Sequence, residues 1–112
     1  QSRLMTLDAA RKMDAGDQAR VEISLTKVTG ARMLHNVIDR AIQVMGARGV
    51  TDDTPLERMY RQARFARLVD GADEVHIYRT GRRILRAFER GEGYDFGERE
   101  GEMSHKSVRA DM

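Results

Sequence analysis

Apolar residues along this chain recur at three- and four-residue steps, the spacing that gathers side chains on one face of a helix. The pattern predicts four helical segments and a tail. The first runs from about Ser2 to Met13, with Leu4, Met5, Leu7, Ala9 and Ala10 as its apolar side. Asp14-Ala15-Gly16-Asp17 then offers Gly16 as a stop and Asp14 or Asp17 as the next N-cap. A simple bend fits the same four residues, since Asp and Gly lower helix propensity without forbidding it.

The second segment, about Gln18 to Met45, is the longest. Val21, Leu25, Val28, Leu34, Ile38, Ala41 and Met45 share one stripe, with the small residues Gly30 and Ala31 midway. Such a rod would be about 42 Å long, longer than a small globule is wide, so it needs a partner surface. Gly46-Ala47-Arg48-Gly49-Val50 ends it. Thr54-Pro55-Leu56-Glu57 has the pattern of a capping box with Pro at the first helical position. A third helix is therefore expected from Pro55 to about Leu68 or Val69, with Leu56, Met59, Tyr60 and Ala63 inward. Asp70-Gly71 breaks it. The fourth runs from about Ala72 to Arg90, with Val75, Tyr78, Leu85 and Phe88 as a buried stripe and Gly81 as a close-packing point.

After Gly91 the apolar pattern collapses into Gly, Glu and Arg, with Tyr94, Phe96, Met103 and Val108 isolated among them. A segment of that kind buries too little surface to offset its ordering entropy. The expected architecture is all-α, an up-and-down helical bundle over residues 1–90 with a mobile or partner-ordered tail over 91–112.

Composition narrows the function classes. The 112 residues suit one small domain, and a fold of this size hides only roughly 60–70% of its unfolded surface. One Pro and no Trp agree with a helical protein, and the lack of Cys excludes disulfides and thiolate metal sites. No apolar run nears the roughly 18 residues that cross a bilayer, and no signal-peptide pattern opens the chain. The expectation is a protein of the bacterial cytoplasm, or of an organelle matrix in a eukaryote. Because the first residue is Gln1 rather than Met, a trimmed product or a piece of a longer chain is expected.

Charged residues form 34% of the chain, yet 20 Lys and Arg against 18 Asp and Glu leave a net charge of +2. With the counts so nearly cancelled, a basic pI does not argue for nucleic acid. Arg58, Arg61, Arg64 and Arg67 recur every three residues and could suggest a DNA-reading helix. The ordinary reading is a solvated face, with Asp52, Asp53 and Glu57 near enough to pair with some of them. No metal site is expected either, since His35, His76 and His105 share no ligand spacing. Met13, Met33, Met45 and Met59 read as core filler.

Three ordered stretches carry a resemblance. Ala41-Ile42-Gln43-Val44-Met45-Gly46-Ala47-Arg48-Gly49-Val50 is similar to a Gln-x-x-Gly-Gly-x-Gly segment. Pro55-Leu56-Glu57-Arg58-Met59-Tyr60-Arg61-Gln62-Ala63-Arg64 is similar to a Pro-x-Glu-x-x-x-Arg-Asp-Ala-Arg helix. Asp70-Gly71-Ala72-Asp73-Glu74-Val75 stands where Glu-Gly-Thr-x-Gln-Ile is common. Each is weak alone. In this order, and without a gap from about residue 9 to 88, they resemble the C-terminal all-helical domain of the acyl-CoA dehydrogenase family.

That resemblance implies FAD as cofactor, an acyl-CoA thioester as substrate and an electron-transfer acceptor as partner. It also implies N-terminal and middle domains absent from this chain, and a homodimer or homotetramer built through the helical domain. The activity implied is oxidation of the CH–CH bond α,β to the thioester, an oxidoreductase reaction of fatty acid metabolism. In it, a carboxylate removes the α-proton while the β-hydrogen leaves as hydride.

Asp70 matches the base position, and a weakly acidic thioester α-proton needs a nearby base in a dry pocket. Asp is shorter than Glu there by roughly 1–1.5 Å. The run Asp-Gly-x-Asp-Glu-Val-His is similar to the branch that acts on unusual or long acyl chains. Gln43, Gly46 and Ala47 match the segment that meets the FAD of a neighbouring subunit. Ala72 and Glu74 match flavin-contacting positions held elsewhere by Thr and Gln, and a Glu beside a diphosphate repels it. Arg82 matches a position sometimes near the CoA end.

On local physics alone, Asp70 could equally cap the fourth helix, and Gly46 and Gly49 could be ordinary helix stops. A non-catalytic helical oligomerisation or interaction module is the alternative for the whole chain.

Overall fold

The computed structural model describes residues 1–93, and among them every regular element is helical: α1 Ser2–Asp14, α2 Arg20–Met45, a 3-10 turn Gly46–Val50, α3 Leu56–Phe65 and α4 Asp73–Glu89. The expected all-α class is what forms. Residues 94–112, which hold most of the expected tail with Tyr94, Phe96, Met103, His105 and Val108, lie outside the described residues. The chain divides into two units, Gln1–Thr80 and one from Gly81 onward.

Within the first unit α1 and α3 both pack on α2, and the 3-10 turn packs on α2 and α3. α2 has 26 residues, about 39 Å of rod, and it is the element the others share. α1 stops where Gly16 was expected to stop it. The Gly16 amide donates to the Met13 carbonyl and the Asp17 amide to that of Lys12, the paired bonds that close a helix around a left-handed glycine. Asp17 then accepts a bond from the Ala19 amide at 3.0 Å, so it closes the turn before α2 rather than capping the helix. A Lys12–Glu22 ion pair at 2.6 Å, largely shielded on both sides, ties α1 to α2. In the second unit, the end of α4 repeats the pattern at Gly91: its amide donates to Phe88 and that of Glu92 to Ala87.

The apolar core is small: Ala9, Ala19, Val21, Val28, Ile38 and Ala63. The expected stripe on α2 is thus buried at Val21, Val28 and Ile38, while Leu25, Leu34 and Met45 remain exposed. On α1 only Ala9 of the apolar side is interior, and Leu4 and Leu7 face outward. The stripe on α4 departs furthest from expectation. Val75, Tyr78, Leu85 and Phe88 are 41–64% exposed. Periodicity identifies the apolar face of a helix, but only a packed neighbour buries it. Gly30 and Gly81 share that openness, since a Cβ at either would meet nothing within 4 Å.

The expected capping box at the start of α3 does not form. The Thr54 hydroxyl turns back to the Arg48 carbonyl at 3.3 Å, which also receives the Thr51 hydroxyl at 3.0 Å, and Glu57 is engaged by Arg61. Pro55 bounds α3 with no side-chain cap. Arg48 thereby anchors the loop that follows the 3-10 turn. That turn folds back tightly on α2: a Cβ added at Gly49 would stand 2.9 Å from both Cα and the carbonyl oxygen of Ile42, backbone atoms that cannot rotate away.

Asp73, at the first turn of α4, is the largest fully buried side chain among the described residues, at 1% exposure. Its Oδ2 accepts from Arg32 Nε at 3.0 Å and from Arg67 Nε at 2.9 Å, joining α2, the turn after α3 and α4 at one atom. Burial alone would push this carboxyl up. The hydrogen bonds and positive charges of Arg32 and Arg67 outweigh it and hold Asp73 below the usual aspartate range. Arg67 also donates to Nδ1 of His35 at 3.4 Å, and the His35 ring lies against Tyr60 with centroids 4.8 Å apart. Since Arg can only donate, His35 Nδ1 is the acceptor in this contact.

Two stability outcomes follow. Gly49→Ala forces the 3-10 turn off α2 and should destabilise the fold by about 1–3 kcal/mol, as overpacking does; an unchanged thermal midpoint would show that the turn can yield. Asp73→Asn should cost roughly 2 kcal/mol at pH 7, toward the lower end for a buried pair because Arg32 is 47% and Arg67 28% exposed. The lowered folded-state value means this stabilisation is complete above the unfolded value of about 3.9. It disappears as pH falls through the folded value. The wild-type advantage over Asp73→Asn in thermal melts should therefore narrow below about pH 4, and a gap independent of pH would contradict the ion-pair account.

Candidate functional site

The residues of interest fall into two groups, one at the C-terminal end of α2 and one in the turn between α3 and α4. At the C-terminal end of α2, Gln43, Gly46 and Ala47 are all exposed. The Gln43 carbonyl accepts the Gly46 amide, and Gly46 turns left-handed at φ 59° to leave the helix. Around Gly46 there is open space: an added Cβ would touch nothing within 4 Å. Backbone at this bend is exposed, and the small side chains do not cover it.

The other group sits between α3 and α4. The last turns of α3 are carried on by bonds from Ala66 to Gln62 and from Val69 to Phe65, and then the chain reverses hand. Asp70 has φ 54° and Gly71 φ 98°, two consecutive left-handed residues. An aspartate tolerates that region better than most side chains; at Gly71 a Cβ would in addition meet His76 Nε2 at 2.9 Å.

The Asp70 side chain is exposed, and among the described residues no hydrogen bond or ion pair engages its carboxylate. It does not cap α4, which begins three residues later at Asp73. Its backbone is held instead. His76 Nε2 lies 3.0 Å from the Asp70 carbonyl, and Lys27 Nζ donates to the Gly71 carbonyl at 2.7 Å. Ala72 is half-buried and Glu74 exposed. Arg82, exposed, belongs to the second unit.

Asp70, Ala72 and Glu74 thus share one turn, pinned to α2 at Lys27 and Arg32. Gln43 lies sixteen residues beyond Lys27 and eleven beyond Arg32 on the same helix, about 24 and 16 Å along its axis. Within one chain the two groups are not neighbours.

Sequence reasoning missed the residues that hold the turn. Asp73 occupies the first turn of a helix, where a carboxylate ordinarily faces water and the helix dipole, so its burial had no local signal. Arg67 was one of four arginines at a three-residue period. Its siblings behave as a surface face, Arg61 pairing with Glu57 at 2.9 Å, while Arg67 turns inward. A hint was present in its flanks, Ala66, Leu68 and Val69, which are apolar. Among the described residues no group of three His, Cys, Asp or Glu side chains is arranged to hold a metal ion, and no helix is long and apolar enough to cross a membrane.

Residues 1–85 match the family described as acyl-CoA dehydrogenase, C-terminal domain. Among similar proteins, acyl-CoA dehydrogenase family member 11 of Gallus gallus is 47% identical over 79 residues, which is 69% of this chain and 10% of the relative. A probable acyl-CoA dehydrogenase of Mycobacterium tuberculosis, FadE2, is 45% identical over 87 residues, 76% of this chain and 21% of the relative. Another from Escherichia coli, YdiO, is 39% identical over 87 residues, 78% of this chain and 23% of the relative. The chain spans less than a quarter of the length of these relatives. With the matched region covering all four helices up to Leu85, the chain belongs to the acyl-CoA dehydrogenase C-terminal domain family.

Proposed function

We propose that this chain is the C-terminal helical domain, residues 1–90, of an FAD-dependent acyl-CoA dehydrogenase. Asp70 is the base that removes the α-proton of the thioester. The observation that carries this reading is the turn itself: a carboxylate with no partner among the described residues, presented outward from a left-handed bend whose backbone is fixed on both sides. A base needs a free carboxylate at a set position, and rigid flanks supply that position.

FAD, when bound, supplies the acceptor for the β-hydrogen. Gln43, Gly46 and Ala47 fit contact with it through backbone, given the open space at Gly46. The roughly 16–24 Å of helix between them and the α2 residues that pin the Asp70 turn, Arg32 and Lys27, agrees with their serving the cofactor of a second subunit, so that a homodimer or homotetramer completes the site. Ala72 can contribute backbone only. Glu74 does not fit a diphosphate, since its exposed carboxylate would repel one. It is the residue that favours the alternative of a non-catalytic helical interaction module. Arg82 supplies a cation suited to the phosphates of CoA.

In the whole protein, Asp70→Asn should leave FAD bound while slowing flavin reduction by acyl-CoA thioesters at least about a hundredfold, the lower range for loss of a general base. Stopped-flow bleaching of the flavin band measures it. Wild-type reduction by the variant would remove Asp70 from the role, and a whole protein purified without flavin would support the interaction module.

A further inference from the structure

Asp70 is an unfavourable residue to hold as it stands. A left-handed conformation on a residue with a Cβ costs free energy and persists where surrounding contacts over-determine it, while Gly71 beside it adopts one freely. The contacts are present, and they come from three separate elements. From α2, Lys27 Nζ donates to the Gly71 carbonyl at 2.7 Å. From α4, His76 Nε2 bonds the Asp70 carbonyl at 3.0 Å. Because a carbonyl only accepts, the Nε2 of His76 carries the proton in this bond. Behind the turn, the Asp73 amide donates to the Arg67 carbonyl at 3.2 Å, and the Asp73 carboxylate is clasped by Arg32 and Arg67.

The donors share a direction. Lys27 and His76 reach the two carbonyls that flank Gly71, and neither spends its donor on the Asp70 carboxylate. Fixing the Asp70 and Gly71 carbonyls fixes the two peptide planes beside the left-handed bend. The Cα–Cβ bond of Asp70 is rigidly attached to the first of those planes apart from one backbone rotation, so its direction is set as well. A short side chain makes this matter. With one methylene fewer than Glu, Asp has less slack with which to recover from a backbone shift.

We infer that Lys27 and His76, backed by the Arg32–Asp73–Arg67 cluster, form a brace that sets the direction of the Asp70 carboxylate, and so act as positioning residues for proton abstraction. This rests on the reading of Asp70 as the base. Lys27 and His76 are both half-buried, so each can lose its donor without opening the apolar core.

The test uses the whole protein with a panel of straight-chain saturated acyl-CoA thioesters, and compares Lys27→Met, His76→Leu, Asp70→Asn and the two double variants. Lys27→Met keeps the aliphatic stem and removes only the donor. Circular dichroism and flavin content report folding for each variant, and His76→Leu keeps the question open to refutation should Lys27→Met fold poorly. Each brace variant should slow flavin reduction about ten- to a hundredfold, the scale of a misplacement near 1 Å, while thioester affinity changes by less than about threefold. His76→Gln, whose amide can place a donor where Nε2 stood, should restore most of the rate. In the Asp70→Asn background the brace substitutions should cost nothing further, because they act through the missing carboxylate.

If Lys27→Met and His76→Leu reduce flavin at the wild-type rate while Asp70→Asn does not, the brace is overturned and the base stands. Equal slowing with and without the Asp70 carboxylate also overturns it. A wild-type rate in Asp70→Asn alone refutes the base, and the brace with it.

Discussion

A single carboxylate oxygen holds this structure to its shape. Oδ2 of Asp73 receives one guanidinium from the middle of α2 and another from the turn after α3, while its own residue begins α4. Three elements meet there, and among the described residues no large apolar side chain is fully interior, the core consisting of Ala and Val with one Ile. In a domain with so little apolar burial, a charged clasp carries a share of tertiary specificity that larger proteins leave to Leu and Phe. The geometry is also demanding. Both guanidinium groups address Oδ2, and Oδ1 is buried without a hydrogen bond, so the clasp tolerates only the arrangement it has.

That clasp explains why the turn at Asp70–Gly71 can be as unusual as it is. The left-handed backbone at Asp70, a residue with a Cβ, is costly unless its flanks are held. Arg67 fixes the incoming side through its carbonyl and its guanidinium, and Asp73 fixes the outgoing side. Lys27 and His76 then act on a segment whose ends are already placed. The exposed carboxylate of Asp70 therefore owes its position to residues that never touch it.

How much of this was legible in the sequence depends on the range of the interaction. Helix limits are local, and Gly16 and Gly91 end α1 and α4 through hydrogen bonds to residues within five positions. The three ordered motifs ending at Asp70–Val75 identified the family, because order and spacing survive in a single chain. The failures are longer in range. The capping box at Thr54 was lost to the Arg48 carbonyl, a competing acceptor six residues back that no four-residue pattern contains. The α4 stripe was read correctly as apolar and wrongly as buried, because burial is a property of two surfaces and periodicity describes one. Asp73 was invisible for the same reason: Arg32 lies forty-one positions away, and only folding brings it within 3.0 Å.

The exposed apolar rows and the divided candidate site lead to one conclusion. α2 is a rod with the Asp70 turn pinned near its first half and Gly46 at its far end. A cofactor and a thioester that react with each other must lie within bond-forming distance, whereas the residues of α2 that pin the turn, Lys27 and Arg32, stand roughly 16–24 Å before Gln43 along the helix. Under the proposed reading, each end of the rod can serve a different active site, so one domain contributes to two sites while completing neither. The open face at Gly30 and the outward leucines of α1 then have a common physical origin: side chains on a scaffold shaped for neighbours remain in water when it stands alone.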